Sequence, residues 1–432
     1  MNRGPLFYKK TWAGNAQLKI NEQKIMGLIA IFRTFLYSYA MRNKSILNEK
    51  APMEYRRFGK TDKMISVITL GGMRFKHVWD DPADVIPDDS LEDCVAAIKL
   101  ALDSGINLIE TAYGYKKSEK LFGLALNREL KLPRESYYLM TKNAPADHDE
   151  MLRHVEKQLE TLGTDRLDFF AVHGINNEEA YETTMKKGGA LGALEKLKAQ
   201  GVIGHIGFST HGQLKLILKT ILTEAFEFAN IHYYYFNQRN FAAVQMAQSL
   251  DMGLFIISPN DKGGQLYKAP DLLKKITAPL SPIQWNARFC LSHSSVHTLS
   301  FGITEADHFR EMMGIFPTTI PLSQKDAEIL HKLDAQLLKD PFARYEGFEF
   351  EAGPEDVNVP EMLRFRRMWK CFDMLDFGRY RYNDFQPDNY WFPGSFPTEE
   401  SLKRIDFSRA PSGIPLREMI LETHEALYVE KK

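Results

Sequence analysis

Four side chains at the ends of three short apolar runs have the types and spacing for shared acid–base chemistry. In NLIETAYGYKKSE (107–119) an apolar run ends at Glu110 and Tyr115 follows five residues later. LMTK ends the next run at Lys142, and LDFFAVHG ends a third at His173. A tyrosine hydroxyl can hand a proton to an oxygen that is gaining charge, but a free phenol, with a pKa near ~10, is sluggish at neutral pH. An ammonium beside it favours the phenolate, so Lys142 is expected to lower the pKa of Tyr115, with Glu110 pairing Lys142 and fixing it in place. His173 could then hydrogen-bond and orient the substrate oxygen. Taken singly, each residue has a plainer role: a strand-end lysine is usually a solvated cap, and a histidine after an apolar strand is usually structural. Their joint placement at successive strand ends is what points to a site.

The elements that must position them recur along the chain. Eight apolar runs, VITLGG (67–72), NLIET (107–111), YYLMTK (137–142), LDFFAVHG (167–174), HIGFST (205–210), FANIHYY (228–234), GLFIISP (253–259) and VHTLSFG (296–302), are each followed by small or polar residues. Runs apolar almost throughout are the mark of strands buried on both faces of a parallel sheet. The segments between them have helical spacing and glycine stops: DHDEMLRHVEKQLETLG (147–163) sets Met151, Leu152, Val155, Leu159 and Leu162 on one face and ends at Gly163. Eight strand–helix repeats predict a closed (β/α)8 TIM barrel over 53–318, preceded by a hairpin turned at Lys60–Asp62 that plugs the barrel bottom. The alternative, an open doubly wound sheet, would want a G-x-G-x-x-G turn after its first strand, and TLGGMRF does not provide it.

In such a barrel the C-terminal strand ends hold the active site. At those ends ETAYGYKKSE, LMTK, LDFFAVHGI and IGHIGFSTH resemble the aldo-keto reductase superfamily, and the resemblance runs in order through all of 53–318. It implies NAD(P)H bound across the barrel mouth without a Rossmann motif, hydride transfer to an aldehyde, ketone or quinone, and a tetrad of Asp, Tyr, Lys and His. By position the tetrad falls on Glu110, Tyr115, Lys142 and His173, with glutamate where the family has aspartate. The cofactor-binding positions fall on Gly71, Met73, Ser209, Thr210, Asn230, Ser258, Lys262, Gly263 and Gly264. Ser209-Thr210 stands where the family has Ser-Asn, Asn230 where it has Gln, and Ile257 where an aromatic often stacks on nicotinamide. FGITEADHF (301–309) would lie near the adenosine; NADP(H) over NAD(H) is a family expectation. These departures also motivate a second reading, a barrel that binds NADP(H) as a sensor or scaffold with little turnover.

The flanking regions differ. Residues 1–52 are cation-rich and contain a mostly apolar stretch, Ile25 to Ala40, interrupted by Arg33; it is short for a membrane span, and a poorly ordered leader is expected. The helical extension 319–432 resembles the ferredoxin-like tail of one subgroup of these reductases, without the cysteines that hold iron–sulfur clusters there. DNYWFPGSFPTEE (388–400) stands in place of the cluster loop. Three distant cysteines, Cys94, Cys290 and Cys371, predict no disulfide framework, no iron–sulfur cluster and no metal site, and reduced thiols suit the cytoplasm. With 55 basic and 56 acidic residues no global field recruits nucleic acid or anionic membrane, despite the run RFRRMWK. The expected partner is a small carbonyl substrate; no oligomeric state is implied.

Overall fold

The structure is a computed structural model describing residues 53–75, 85–302, 306–345 and 356–430. The leader 1–52, most of the loop 77–89 and residues 303–305 of the loop 301–309 lie outside the described residues.

All eight expected runs become staves of one barrel. β1 (Tyr55–Arg57) and β2 (Met64–Ser66) form an antiparallel hairpin. β3 (Ile68–Gly71), β4 (Leu108–Glu110), β5 (Tyr138–Asn143), β6 (Leu167–His173), β7 (Ile203–Ser209), β8 (Phe228–Ile231), β9 (Gly253–Ile256) and β10 (Thr298–Gly302) pair in parallel, each with the next, and β10 closes on β3. Leu108, Met140, Phe169, Ala171, Phe228 and Phe255 meet in the core, all fully buried. That packing accounts for the unbroken apolar runs: one set of side chains fills the barrel and the other faces the helices.

The hairpin is the expected plug. Phe58 inserts between the staves at their starting ends, with ring centroids 5.5 Å from Phe169 and 5.6 Å from Phe228. Gly59 lets it do so: its φ is +51°, and a Cβ there would lie 2.4 Å from the carbonyl oxygen of Asp251. Arg56 fastens the hairpin by donating to the carbonyls of Leu291 (2.7 Å), His293 (3.2 Å) and Val296 (2.5 Å). The plug therefore seals the face opposite to the strand ends that carry Glu110 and His173.

Local chemistry sets the helix limits. Helix His148–Leu162 starts where the Asp147 carboxylate accepts from the Glu150 amide at 2.8 Å and stops at Gly163, φ +66°. FANIHYY does not run to its end as a strand: β8 stops at Ile231, and Tyr233 and Tyr234 continue as buried loop aromatics.

Beyond the barrel the chain is mostly helical, with helices Gln324–Leu337, Val359–Phe372, Leu375–Tyr382, Glu399–Lys403 and Leu416–Leu427. The arginine run sits inside this region. Arg364 and Arg366 are buried, and Arg366 pairs with Asp340 at 3.0 Å and Glu422 at 2.8 Å. Cys94, Cys290 and Cys371 are buried free thiols, and among the described residues no group of His, Cys, Asp and Glu is gathered to hold a metal. No helix among them is long and apolar enough to cross a membrane.

Candidate active site

Strand register brings the expected residues to one level. Gly302 stands opposite Gly71, Gly71 opposite Glu110, His173 opposite Ser209, and Ser209 opposite Asn230. Tyr115 reaches this level from a single 3-10 turn, Tyr113–Tyr115, closed by its amide on the Ala112 carbonyl at 2.9 Å.

Glu110, Tyr115, Lys142 and His173 meet. The Lys142 ammonium and the Glu110 carboxylate are in direct contact and buried. Lys142 Nζ also donates to the Thr111 carbonyl at 2.8 Å and stands 3.4 Å from the Tyr115 hydroxyl. That hydroxyl donates to Glu110 Oε1 at 3.3 Å, and Ser300 donates to Glu110 Oε2 at 3.1 Å. The Tyr115 ring meets His173 edge-on, centroids 5.6 Å apart. Gly71 makes room for the carboxylate: a Cβ there would lie 2.7 Å from Ser300 Oγ and 3.2 Å from Glu110 Oε2.

The pKa expectation for Tyr115 is overturned. Burial pushes the phenol well above the ordinary tyrosine value, against a smaller opposing influence from the Arg74 guanidinium. Lys142 is itself driven well below the usual lysine range by burial. In contact with Glu110 its field is largely cancelled at the phenol, so desolvation wins. Tyr115 is a held proton, not a readily formed phenolate.

A cavity of about 240 Å³ opens beside the tetrad, lined by Gly71, Met73, Glu110, Tyr115, Ile257 and Ser258 among others. Lys262, Gly263 and Gly264 open the short helix Lys262–Lys268 that follows Ser258. Ser209, Thr210 and Asn230 are buried at the ends of β7 and β8 and do not line this cavity. The Thr210 hydroxyl is already committed: it donates to the Ile175 carbonyl at 2.6 Å and accepts from the Gly212 amide at 2.8 Å. Asn230 differs, because its buried Oδ1 has no hydrogen-bond partner among the described residues. Asn260, on the cavity wall, has the same orphaned acceptor. The unsatisfied carbonyl oxygen of Asn260 on the cavity wall suits a ligand that brings N–H donors, as a nicotinamide dinucleotide does.

Two residues escaped the sequence reading. Arg74 lines the cavity, and no carboxylate among the described residues pairs with it. The signal was available, since it directly follows Gly71-Gly72-Met73. Trp391 lies over His173, centroids 4.7 Å apart, and its carbonyl accepts from His211 Nδ1 at 3.2 Å. Nothing in the local sequence of 388–400 foretells that contact.

Behind Lys142 sits a buried acid. Glu119 Oε1 accepts from Thr141 at 2.6 Å and from Gln158 at 2.5 Å, and Gln158 also donates to the Lys142 carbonyl at 3.2 Å. Burial outweighs those hydrogen bonds and pushes Glu119 up from 4.5 to about 7. Below the unfolded value both states hold the proton, and this contribution to stability is fully present. Between there and pH 7 the unfolded chain ionises first, so stability falls as pH rises and levels about 3 kcal/mol lower. Glu119→Gln is expected to remove this dependence, so its melting temperature should gain on wild type from pH 4.5 to 8. A constant difference across that range would refute the assignment.

The sequence profile of the Aldo/keto reductase family matches residues 67–335. The chain is 29% identical over 203 residues to aldo-keto reductase AMT2 of Alternaria alternata, covering 39% of this chain and 52% of that protein. It is 32% identical over 153 residues to D-arabinose 1-dehydrogenase of Saccharomyces cerevisiae, covering 34% of this chain and 43% of that protein. The matched stretch thus spans about half the length of these curated relatives. Among solved structures, an aldo-keto reductase from Klebsiella pneumoniae in complex with NADPH superposes with a TM-score of 0.52 at 20% identity, covering 69% of this chain and 97% of that one. The holo form of an aldo-keto reductase from Bacillus halodurans gives 0.53 at 19% identity, covering 65% and 96%. At those identities the likeness is one of fold.

Proposed function

Because the chain belongs to the aldo/keto reductase family, we propose that it is an oxidoreductase that reduces the carbonyl of a small aldehyde, ketone or quinone with NADPH, using Tyr115 as general acid. When bound, the nicotinamide supplies the hydride. Tyr115 gives its proton to the carbonyl oxygen, and His173 hydrogen-bonds that oxygen and orients it. Lys142, fixed by Glu110, stands behind the phenol to meet the charge left on it as the proton departs. The observation that carries this reading is the Tyr115 hydroxyl, 3.4 Å from the Lys142 ammonium, on the wall of the strand-end cavity.

In this reading Ser209 and the free acceptor of Asn230 hold the carboxamide. Thr210 shapes the loop beneath it, and Ile257 gives the ring an aliphatic support. Gly71 and Met73 form the opposite wall. Ser258 and the backbone of Lys262, Gly263 and Gly264 receive the phosphates, with Arg74 as a further cation. The NADPH in the Klebsiella pneumoniae relative supports NADP(H) over NAD(H). We read 53–318 as the reductase barrel and 319–432 as a cap derived from a ferredoxin-like tail without its cluster.

The test is oxidation of NADPH and NADH by the purified protein against a panel of aldehydes, ketones and quinones. Substrate-dependent loss of reduced-nicotinamide absorbance, faster with NADPH, is the expected result. The committed Thr210 hydroxyl and the raised pKa of Tyr115 favour a second reading, a nucleotide-binding barrel with little turnover. Tight NADPH binding with no oxidation across the panel would establish that one instead.

A further inference from the structure

The C-terminal region reaches into the loop after β9. Arg364, on helix Val359–Phe372, points its buried guanidinium at Asp261, with Nη1 3.1 Å from Oδ2 and 3.4 Å from Oδ1. The Asp261 side chain is fully buried and also accepts from the Tyr234 hydroxyl at 3.3 Å. Arg364 Nε donates to Glu361 Oε2 at 3.1 Å, and Arg239 holds the other Glu361 oxygen. Burial alone would raise Glu361, but the charges of Arg239, Arg364 and Arg381 outweigh it and hold this carboxyl at about 2. Four charges of alternating sign thus run from the loop after β8, through the extension, to the loop after β9.

The pair has a distinctive place. Asp261 lines the 240 Å³ cavity beside Tyr115, while Arg364 and Glu361 line a second cavity of about 630 Å³ between the barrel loops and the extension. The ion pair is part of the wall between them. The loop it holds is not relaxed: Ser258 and Asp261 have φ of +52° and +58°, values unfavourable for side chains with a Cβ. Asn286 fixes one end of the loop through the Pro259 carbonyl at 2.6 Å, and Arg364 fixes the other. Without the guanidinium, the Asp261 carboxylate would be a buried charge short of its counter-ion, and the loop would have to open to bring it to water.

We infer that Arg364 is a positioning residue for the nicotinamide cofactor: its ion pair with Asp261 holds the Ser258–Gly264 loop in the shape that receives the dinucleotide phosphates, which makes the C-terminal extension a working part of the nucleotide site. The guanidinium also offsets an acidic charge that an incoming pyrophosphate would otherwise meet. This rests on the reading of that loop as cofactor-binding.

The test uses full-length wild type, Arg364→Met, Asp261→Asn and the double variant, with NADPH titrated by fluorescence and turnover measured at saturating NADPH. Arg364→Met is expected to weaken NADPH binding by about tenfold or more while kcat and the KM for the carbonyl substrate stay within about twofold. The double variant should recover most of the affinity, because a neutral amide in place of the Asp261 carboxylate no longer requires a cation. A purely structural loss would instead lower the active fraction, and with it kcat, at unchanged Kd. Folded Arg364→Met that binds NADPH as wild type does overturns the inference. If that variant does not fold, Arg364→Gln, a polar side chain without the charge, takes its place: weakened NADPH binding supports the inference and wild-type binding overturns it. Wild type that binds neither NADPH nor NADH refutes the cofactor reading itself and the inference with it.

Discussion

Tyr115→Phe is expected to lower kcat for carbonyl reduction by about three orders of magnitude and to leave the NADPH dissociation constant within about twofold. The substitution removes one hydroxyl and little else. The ring keeps its edge-on contact with His173 and its place beneath the Lys142 ammonium, 4.7 Å from the ring centroid. What disappears is the phenolic proton donor of the tetrad on the cavity wall. The raised pKa gives the experiment a second arm. A general acid works while protonated, so activity is lost as pH rises through its pKa. Burial puts that point for Tyr115 above the ordinary tyrosine value, so kcat/KM should stay level on the alkaline side to about pH 10. Unchanged turnover in Tyr115→Phe would remove the general-acid assignment. A fall in kcat/KM centred well below pH 9 would show that a different group titrates.

The features that could be read from sequence are those whose physics is local. A strand buried on both faces must be apolar along its length, so VITLGG or GLFIISP identifies itself without knowledge of its neighbours. A strand end is marked by the polar residues that close the run, which is how Glu110, Lys142 and His173 emerge. The features that stayed hidden depend on distant partners. Arg364 and Arg366 look like surface cations in RFRRMWK until Asp261 and Asp340 arrive to bury them. Trp391 in DNYWFPGSFPTEE is inconspicuous until the chain brings it over His173. The pKa of Tyr115 was misjudged for a related reason. The expectation already paired Lys142 with Glu110 but did not weigh the burial of the phenol or how far that pairing cancels the ammonium's field, and desolvation then sets the direction.

The contact between Glu110 and Lys142 can be separated from the chemistry it serves. Both side chains are buried, at 3% and 1% exposure. Removing either partner leaves the other charge in a low-dielectric site, so Glu110→Gln and Lys142→Met should each cost about 3–5 kcal/mol of unfolding free energy. The double variant replaces the ion pair by two neutral side chains of similar length. It loses the hydrogen bond from Lys142 to the Thr111 carbonyl, 2.8 Å in the wild type, which accounts for about 1 kcal/mol. Its cost should therefore fall well below the sum of the singles, with a coupling of about 3 kcal/mol read from urea midpoints at constant slope. Turnover should not follow stability. In the double variant no cation stands behind Tyr115 as its proton leaves, so kcat should remain as low as in Lys142→Met. Glu110→Gln takes away the counter-ion that favours the buried ammonium, so Lys142 is driven further toward the neutral amine and kcat should fall toward that of Lys142→Met. Additive stabilities, or a double variant that regains activity, would mean that the carboxylate and the ammonium do not act as one unit.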